Sequence, residues 1–103
     1  MSKKPHNLHP GEILRDEFLE PLQISQNQLA LAMDVPSNRI NDIVRGRRGI
    51  SADTDLRLFH AFGLTQGYWL RLQLNFDLLE AKRNAKVILK AVKPVRHGYL
   101  NPA

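Results

Sequence analysis

The chain has 103 residues, no cysteine, a hydrophobic content of 43% and a formal net charge of +5. That length holds one domain with a modest core. The composition excludes a disulfide framework, a thiolate zinc site and a disordered chain, and it makes a reducing cytoplasm the expected setting. No apolar run approaches the roughly 20 residues of a membrane span, and the first residues have two lysines but no apolar core of a signal peptide.

The charges are unevenly placed. The first 44 residues carry six acids against four bases, Arg45, Arg47 and Arg48 cluster within one turn, and from Lys82 onward there are six bases and no acid. Residues 1–8 show no periodicity and read as a flexible lead-in. The periodic region runs over 9–83, and 84–103 form a basic C-terminal segment and tail.

His9-Pro10-Gly11-Glu12 opens the first helix, with Pro10 suited to the first helical position and Glu12 to the positive end of the dipole. Ile13, Leu14, Phe18 and Leu19 supply its buried side, and Pro21 is expected to help end it. Glu12, Asp16 and Glu20 follow one another at i+4 as a like-charge row, with Arg15 off to its side. Such a row is either a solvated face or a surface for a basic protein partner.

Residues 25–46 organise the rest. Ser25 with Gln28 three residues on is a capping-box pattern, so a helix starts after Ser25. Leu29, Ala30, Ala32 and Met33 give it an apolar side, and Asp34-Val35-Pro36 stops it. A second helix runs from about Ser37 to Arg45 and ends at Gly46. Ile40, Ile43 and Val44 share its buried face. Opposite them stand Asn38, Asn41, Asp42 and Arg45, with Arg39 on the flank and Ser37 at the tip. Asn can offer adenine a donor and an acceptor together, and Arg can take both guanine acceptors. Two short helices at this spacing, followed by Arg45-Gly46-Arg47-Arg48, predict a helix-turn-helix DNA-binding protein. Ser37, Asn38, Arg39, Asn41 and Asp42 are the expected base readers. Ser25, Gln26, Arg45, Arg47 and Arg48 are the expected phosphate contacts.

Ser51 and Thr54 mark a fourth helix bearing Leu56, Phe59 and Phe62 and closing at Gly63. Thr65 is expected to cap a long fifth helix from about Gln66 to the mid-80s. That helix is apolar on two sides: Trp69, Leu72, Phe76 and Leu79 form one stripe, and Leu70, Leu74, Leu78 and Ala81 a second. Both need covering. A homodimer seam through Leu70, Leu74 and Leu78 would cover the second stripe, and so would a fold-back of the segment after Asn84. That segment, as far as Val92, suits helix or strand. The reading is an all-α fold of five or so helices.

No chemistry of catalysis is visible. The four histidines, at 6, 9, 60 and 97, lack metal-ligand spacing, and there is no phosphate-cradling glycine loop and no nucleophile elbow. Neither a cofactor nor a small-molecule substrate is implied.

The opening HPGEILRDEFLEPL, the motif SQNQLALAMDVPSNRINDIVRGRRGIS and the run DTDLRLFHAFGLTQGYWLRLQLNFDL together resemble the HigA-type antitoxins, also known as virulence-associated protein I. These sit in the Xre/Cro-like, lambda-repressor-like class of helix-turn-helix proteins. The resemblance spans about residues 8 to 80. It implies a dimer that binds its own operator and neutralises a HigB-type ribonuclease toxin, and it places Gln26 at phosphate and Ser37, Asn38, Arg39 and Asp42 at base edges. Gln23 and Asp34 stand where similar sequences often have glycine. Two other readings compete: a stand-alone or phage-type repressor without a toxin, and a helical interaction module that no longer reads DNA. On the toxin-binding reading, Glu12, Asp16 and Glu20 are the expected contact.

Overall fold

A computed structural model describes residues 6–95 of the chain as six helices, with no strand among the described residues. The expected tail from residue 96 and the first five residues of the expected lead-in lie outside the described residues. Helix α1 covers residues 10–22, in three consecutive segments: α-helical Pro10–Ile13, a wider π-helical Leu14–Leu19, and α-helical Glu20–Leu22. It is followed by α2 (Gln26–Met33), α3 (Ser37–Val44), α4 (Ala52–Phe62), α5 (Tyr68–Arg83) and α6 (Ala85–Leu89).

The start of α1 explains the HPGE opening residue by residue. His9 is the N-cap: its Nδ1 accepts the Gly11 N–H at 2.9 Å, and Glu12 reaches back to accept the His9 N–H at 3.0 Å. That is a capping box with an imidazole in the usual serine position. Gly11 packs directly on the end of α3, so closely that a Cβ there would lie 1.8 Å from the Ile43 carbonyl oxygen. Pro21 does not end the helix, contrary to expectation. The π-helical turn lies just before it, a widening of the backbone at a position where a proline ring crowds the preceding turn. The helix stops instead at Gln23, which is left-handed at φ 57°.

The core lies where all but the last helix converge. Leu14, Ile40, Ile43, Leu58 and Trp69 are fully buried, with Leu19, Leu29, Ala30, Met33 and Ile50 around them. Phe18 sits between Phe62 and Trp69, its ring centroid 5.0 Å from each. Helices α2 and α3 pack on each other, α3 on the start of α1, α4 on α2, and α5 on α4 and α1.

Two expectations change, and one point left open by the sequence is decided. Thr65 does not cap α5: its N-cap is Gly67, at φ 85° with no side-chain cap of its own. The missing acceptor comes from Asp55 on α4, a buried carboxylate that takes the N–H groups of Gly67, Trp69 and Leu70 at 2.8, 3.0 and 3.1 Å. A negative group at this helix start also answers the dipole. The end of the lead-in is pinned rather than loose, since Asn7 donates to the Phe76 carbonyl and to Glu80, each at 2.9 Å. Finally, residues after Asn84 begin as a helix, α6, and do not fold back over α5: Leu74, Leu78, Val87, Ile88 and Leu89 all stay exposed.

Candidate nucleic-acid interface

Helices α2 and α3 present one polar surface. Ser25 caps α2 by accepting the Gln28 N–H at 3.0 Å, while Gln28 accepts the Ser25 N–H at 2.8 Å, so the expected capping box is formed. Asp34 turns the chain out of α2 in the left-handed conformation, at φ 56°. Gln23 and Asp34, which stand where similar sequences often carry glycine, are the only non-glycine residues with positive φ among those described. Pro36 then starts α3 in extended conformation.

The back of α3 is Ile40, Ile43 and Val44, all buried. Its front divides by accessibility. Ser37 and Asn38 are exposed, and neither has a side-chain hydrogen bond among the described residues. Asn41 is half-buried and donates to Gln26 Oε1 at 3.1 Å, which ties the front of α3 to the first residue of α2. Asp42 is half-buried, and its carbonyl accepts the N–H groups of Arg47 and Arg48 at 2.8 and 3.2 Å, closing the loop after α3. Gly46 makes that loop possible at φ 76°.

The loop holds Arg45, Arg47 and Arg48, all exposed. Arg47 lies 3.9 Å from the Asp42 carboxylate, a loose pair, and Arg45 and Arg48 have no acidic partner among the described residues. Cations left exposed beside a polar helix face are suited to phosphate. On the loop's far side, the Ile50 N–H donates to Gln73 Oε1 at 2.7 Å, fixing it to α5.

Arg39 behaves differently from its neighbours. Its Nη1 donates to Asp53 Oδ1 at 2.9 Å, and the same oxygen accepts Arg57 Nε at 2.7 Å. Arg57 in turn donates to the Met33 and Asp34 carbonyls at 2.7 and 3.2 Å, closing the end of α2. The Asp53 carboxyl is held below the usual range by hydrogen bonds first from Arg57 and then from Arg39. Sequence reasoning missed Asp53, Asp55 and Arg57. The i, i+4 spacing of Asp53 and Arg57 was the one available signal.

The acidic row of α1 is more neutralised than its spacing suggested. Burial pushes the Glu12 carboxyl up, but the His9 N–H and the His6 ring outweigh it, and the group ends below its ordinary value. His6 Nε2 lies 2.9 and 3.0 Å from its two oxygens. Asp16 accepts from Arg15 Nε and Nη2 at 2.6 and 3.1 Å. Asp16 holds the Arg15 guanidinium above its ordinary pKa, and the charges of Glu20 and Glu12 add to it.

The residues expected at a dimer seam differ in exposure. Leu70 is half-buried against the core, whereas Leu74 and Leu78 are 55% and 48% exposed. No group of three or more His, Asp or Glu side chains with metal-binding geometry occurs among the described residues.

A helix-turn-helix family model matches residues 16–70, more than half of the chain and the whole two-helix motif. The chain belongs to the helix-turn-helix family. Among its relatives, virulence-associated protein I of Dichelobacter nodosus is 48% identical over 79% of this chain and 75% of its own. The solved antitoxin HigA of Pseudomonas aeruginosa, with the higBA promoter, is 43% identical with a TM-score of 0.80, covering 87% of this chain and 99% of that one. The antitoxin GraA is 39% identical with a TM-score of 0.84, covering 89% of this chain and all of that one. The family resemblance read from the three sequence stretches is therefore correct, and so is the all-helical fold. The family is one of DNA-binding regulators and antitoxins, not of enzymes. None of the helices among the described residues is long and apolar enough to cross a membrane.

Proposed function

We propose that this chain is the antitoxin of a type II toxin–antitoxin module: it binds its own operator as a homodimer, represses its operon and neutralises a HigB-type ribonuclease toxin in the cytoplasm. The observation that carries the reading is the α2–α3 surface, with exposed Ser37 and Asn38 beside Arg45, Arg47 and Arg48, in a chain similar along nearly its whole described length to an antitoxin solved with promoter DNA. Ser37, Asn38, Arg39 and Asp42 read base edges. Asn41 holds Gln26 at the start of α2, where Gln26 and Ser25 meet phosphate, and Arg45, Arg47 and Arg48 meet phosphate beyond α3.

The uncovered Leu74 and Leu78 favour a second copy of the chain as their cover, because the segment after Asn84 leaves them exposed. Dimeric readers of this class place two such helices on two half-sites. The toxin docks on the α1 side through Glu12, Asp16 and Glu20, of which Asp16 and Glu20 are exposed.

Two measurements test this. The protein should shift a duplex taken from immediately upstream of its own gene, with an affinity falling steeply as salt rises. Expression of the neighbouring small open reading frame alone should arrest growth, and co-expression of this chain should restore it. Binding without any toxic neighbour would favour the stand-alone repressor; neither effect would reject both readings.

A further inference from the structure

Resting on the DNA-reading assignment of α3, we propose that Asp53 is a positioning residue for base recognition: it holds one edge of the Arg39 guanidinium so that the opposite edge is presented to a guanine. An isolated exposed ion pair orders a side chain poorly. This one is not isolated. Asp53 Oδ1 receives Arg57 Nε at 2.7 Å as well as Arg39 Nη1 at 2.9 Å, and Arg57 is itself anchored on the Met33 and Asp34 carbonyls. The chain of contacts runs from the fixed end of α2, through Arg57 and Asp53 at the start of α4, to a side chain in the first turn of α3.

The geometry leaves the right donors. A guanidinium has five N–H donors arranged along two edges, and guanine O6 and N7 require two from one edge. Asp53 engages Nη1, so Nε and Nη2, which point along the other edge, have no hydrogen-bond partner among the described residues. The Arg39 side chain is 25% exposed and that of Asp53 57%, so Arg39 is confined on one side and open on the other. A side chain already confined to one arrangement loses less rotamer freedom on binding, which is where pre-organisation contributes. The shared oxygen matters too. Two guanidinium charges offset the repulsion between the Asp53 carboxylate and nearby phosphate, so the acid can sit at a DNA-facing surface.

The experiment is enrichment of a random-sequence duplex pool by the full chain and by three variants, Arg39→Ala, Asp53→Asn and Asp53→Glu, each checked for an unchanged melting curve. The wild type should enrich a motif with a strongly preferred guanine. Arg39→Ala should flatten that one position by roughly tenfold. Asp53→Asn should flatten the same position and no other, Asp53→Glu should recover part of the preference, and Asp53→Asn added to Arg39→Ala should change nothing more. A motif lost at Arg39→Ala but intact in Asp53→Asn overturns the positioning role and leaves the reading of α3 standing. A motif intact in Arg39→Ala, or no motif for the wild type, overturns the assignment of α3 itself and this proposal with it. Loss spread over many positions in Asp53→Asn marks the residue as a staple of α4 only and also overturns it.

Discussion

The two ends of this molecule solve opposite problems. At the α2–α3 end every large apolar side chain of α3 is buried, and the exposed groups are amides, hydroxyls and guanidinium groups. At the α5–α6 end Leu74, Leu78, Leu79, Val87, Ile88 and Leu89 are each about half exposed or more, among lysines and arginines. The first surface leaves no large apolar side chain of α3 in water. The second leaves apolar area in water, which is unfavourable by roughly 25 cal/mol per Å² until something covers it.

The largest effect should come from the joint that connects the two ends. Asp55→Ala strips three buried N–H groups of their acceptor and leaves the α5 start without a cap, so unfolding free energy should fall by about 3–5 kcal/mol, read by urea titration. Next, Leu74→Asp at the α5 end should leave the chain folded by circular dichroism but monomeric in sedimentation. Operator affinity should then drop by roughly a hundredfold or more as two half-sites lose their mutual effective concentration. A variant that remains dimeric would move the seam away from Leu74.

At the other end, Asn38→Ala should weaken the matched operator by about 1–3 kcal/mol and leave scrambled duplex unaffected. Arg47→Ala and Arg48→Ala should weaken both alike and lower the salt slope by about one unit each. If Asn38→Ala instead changed both duplexes equally, the division of the α3 surface into readers and phosphate contacts would fail.

The His9 cap adds a pH dependence that favours neither end alone, since the ring lies between the loop at Gly46 and Phe76 of α5. Burial lowers the His9 pKa from its ordinary 6.5, against the pull of Glu12 and Asp77. A folded pKa below the unfolded one means the unfolded chain binds the extra proton first. The stabilisation is complete above about 6.5 and declines as pH falls below it. Protonation would also remove the Nδ1 acceptor for the Gly11 N–H. Thermal melts between pH 7.5 and 5 should show the decline, and His9→Asn, which keeps a capping acceptor, should flatten it. The smallest effect is a gain: Gln23→Gly relieves a left-handed backbone, so stability should rise by about 0.5–1 kcal/mol.

The sequence by itself determined the elements and the family. Ser25 with Gln28, Pro36, Gly46 and Gly63 are local signals, read within one turn of where they act, and the i, i+3, i+4 apolar positions of α3 could face only inward. The opening of α1 was legible for the same reason, as a proline and an acid in a first turn. Local chemistry could not supply partners distant in the chain. Asp55 reads as an ordinary first-turn acid of α4, and only folding brings the start of α5 against it, 12 to 15 residues away. Arg39 read as a base reader on the flank of α3, and the packing of α4 on α2 brought Asp53, 14 residues on, within reach of it. The π-helical turn before Pro21 went unread for a different reason: the proline that crowds it is a local signal, but apolar periodicity does not reveal a change of helical hydrogen-bond register. Periodicity specifies which face of a helix is apolar; what stands against that face is decided by long-range packing, whose free energy belongs to pairs of segments and not to either segment alone.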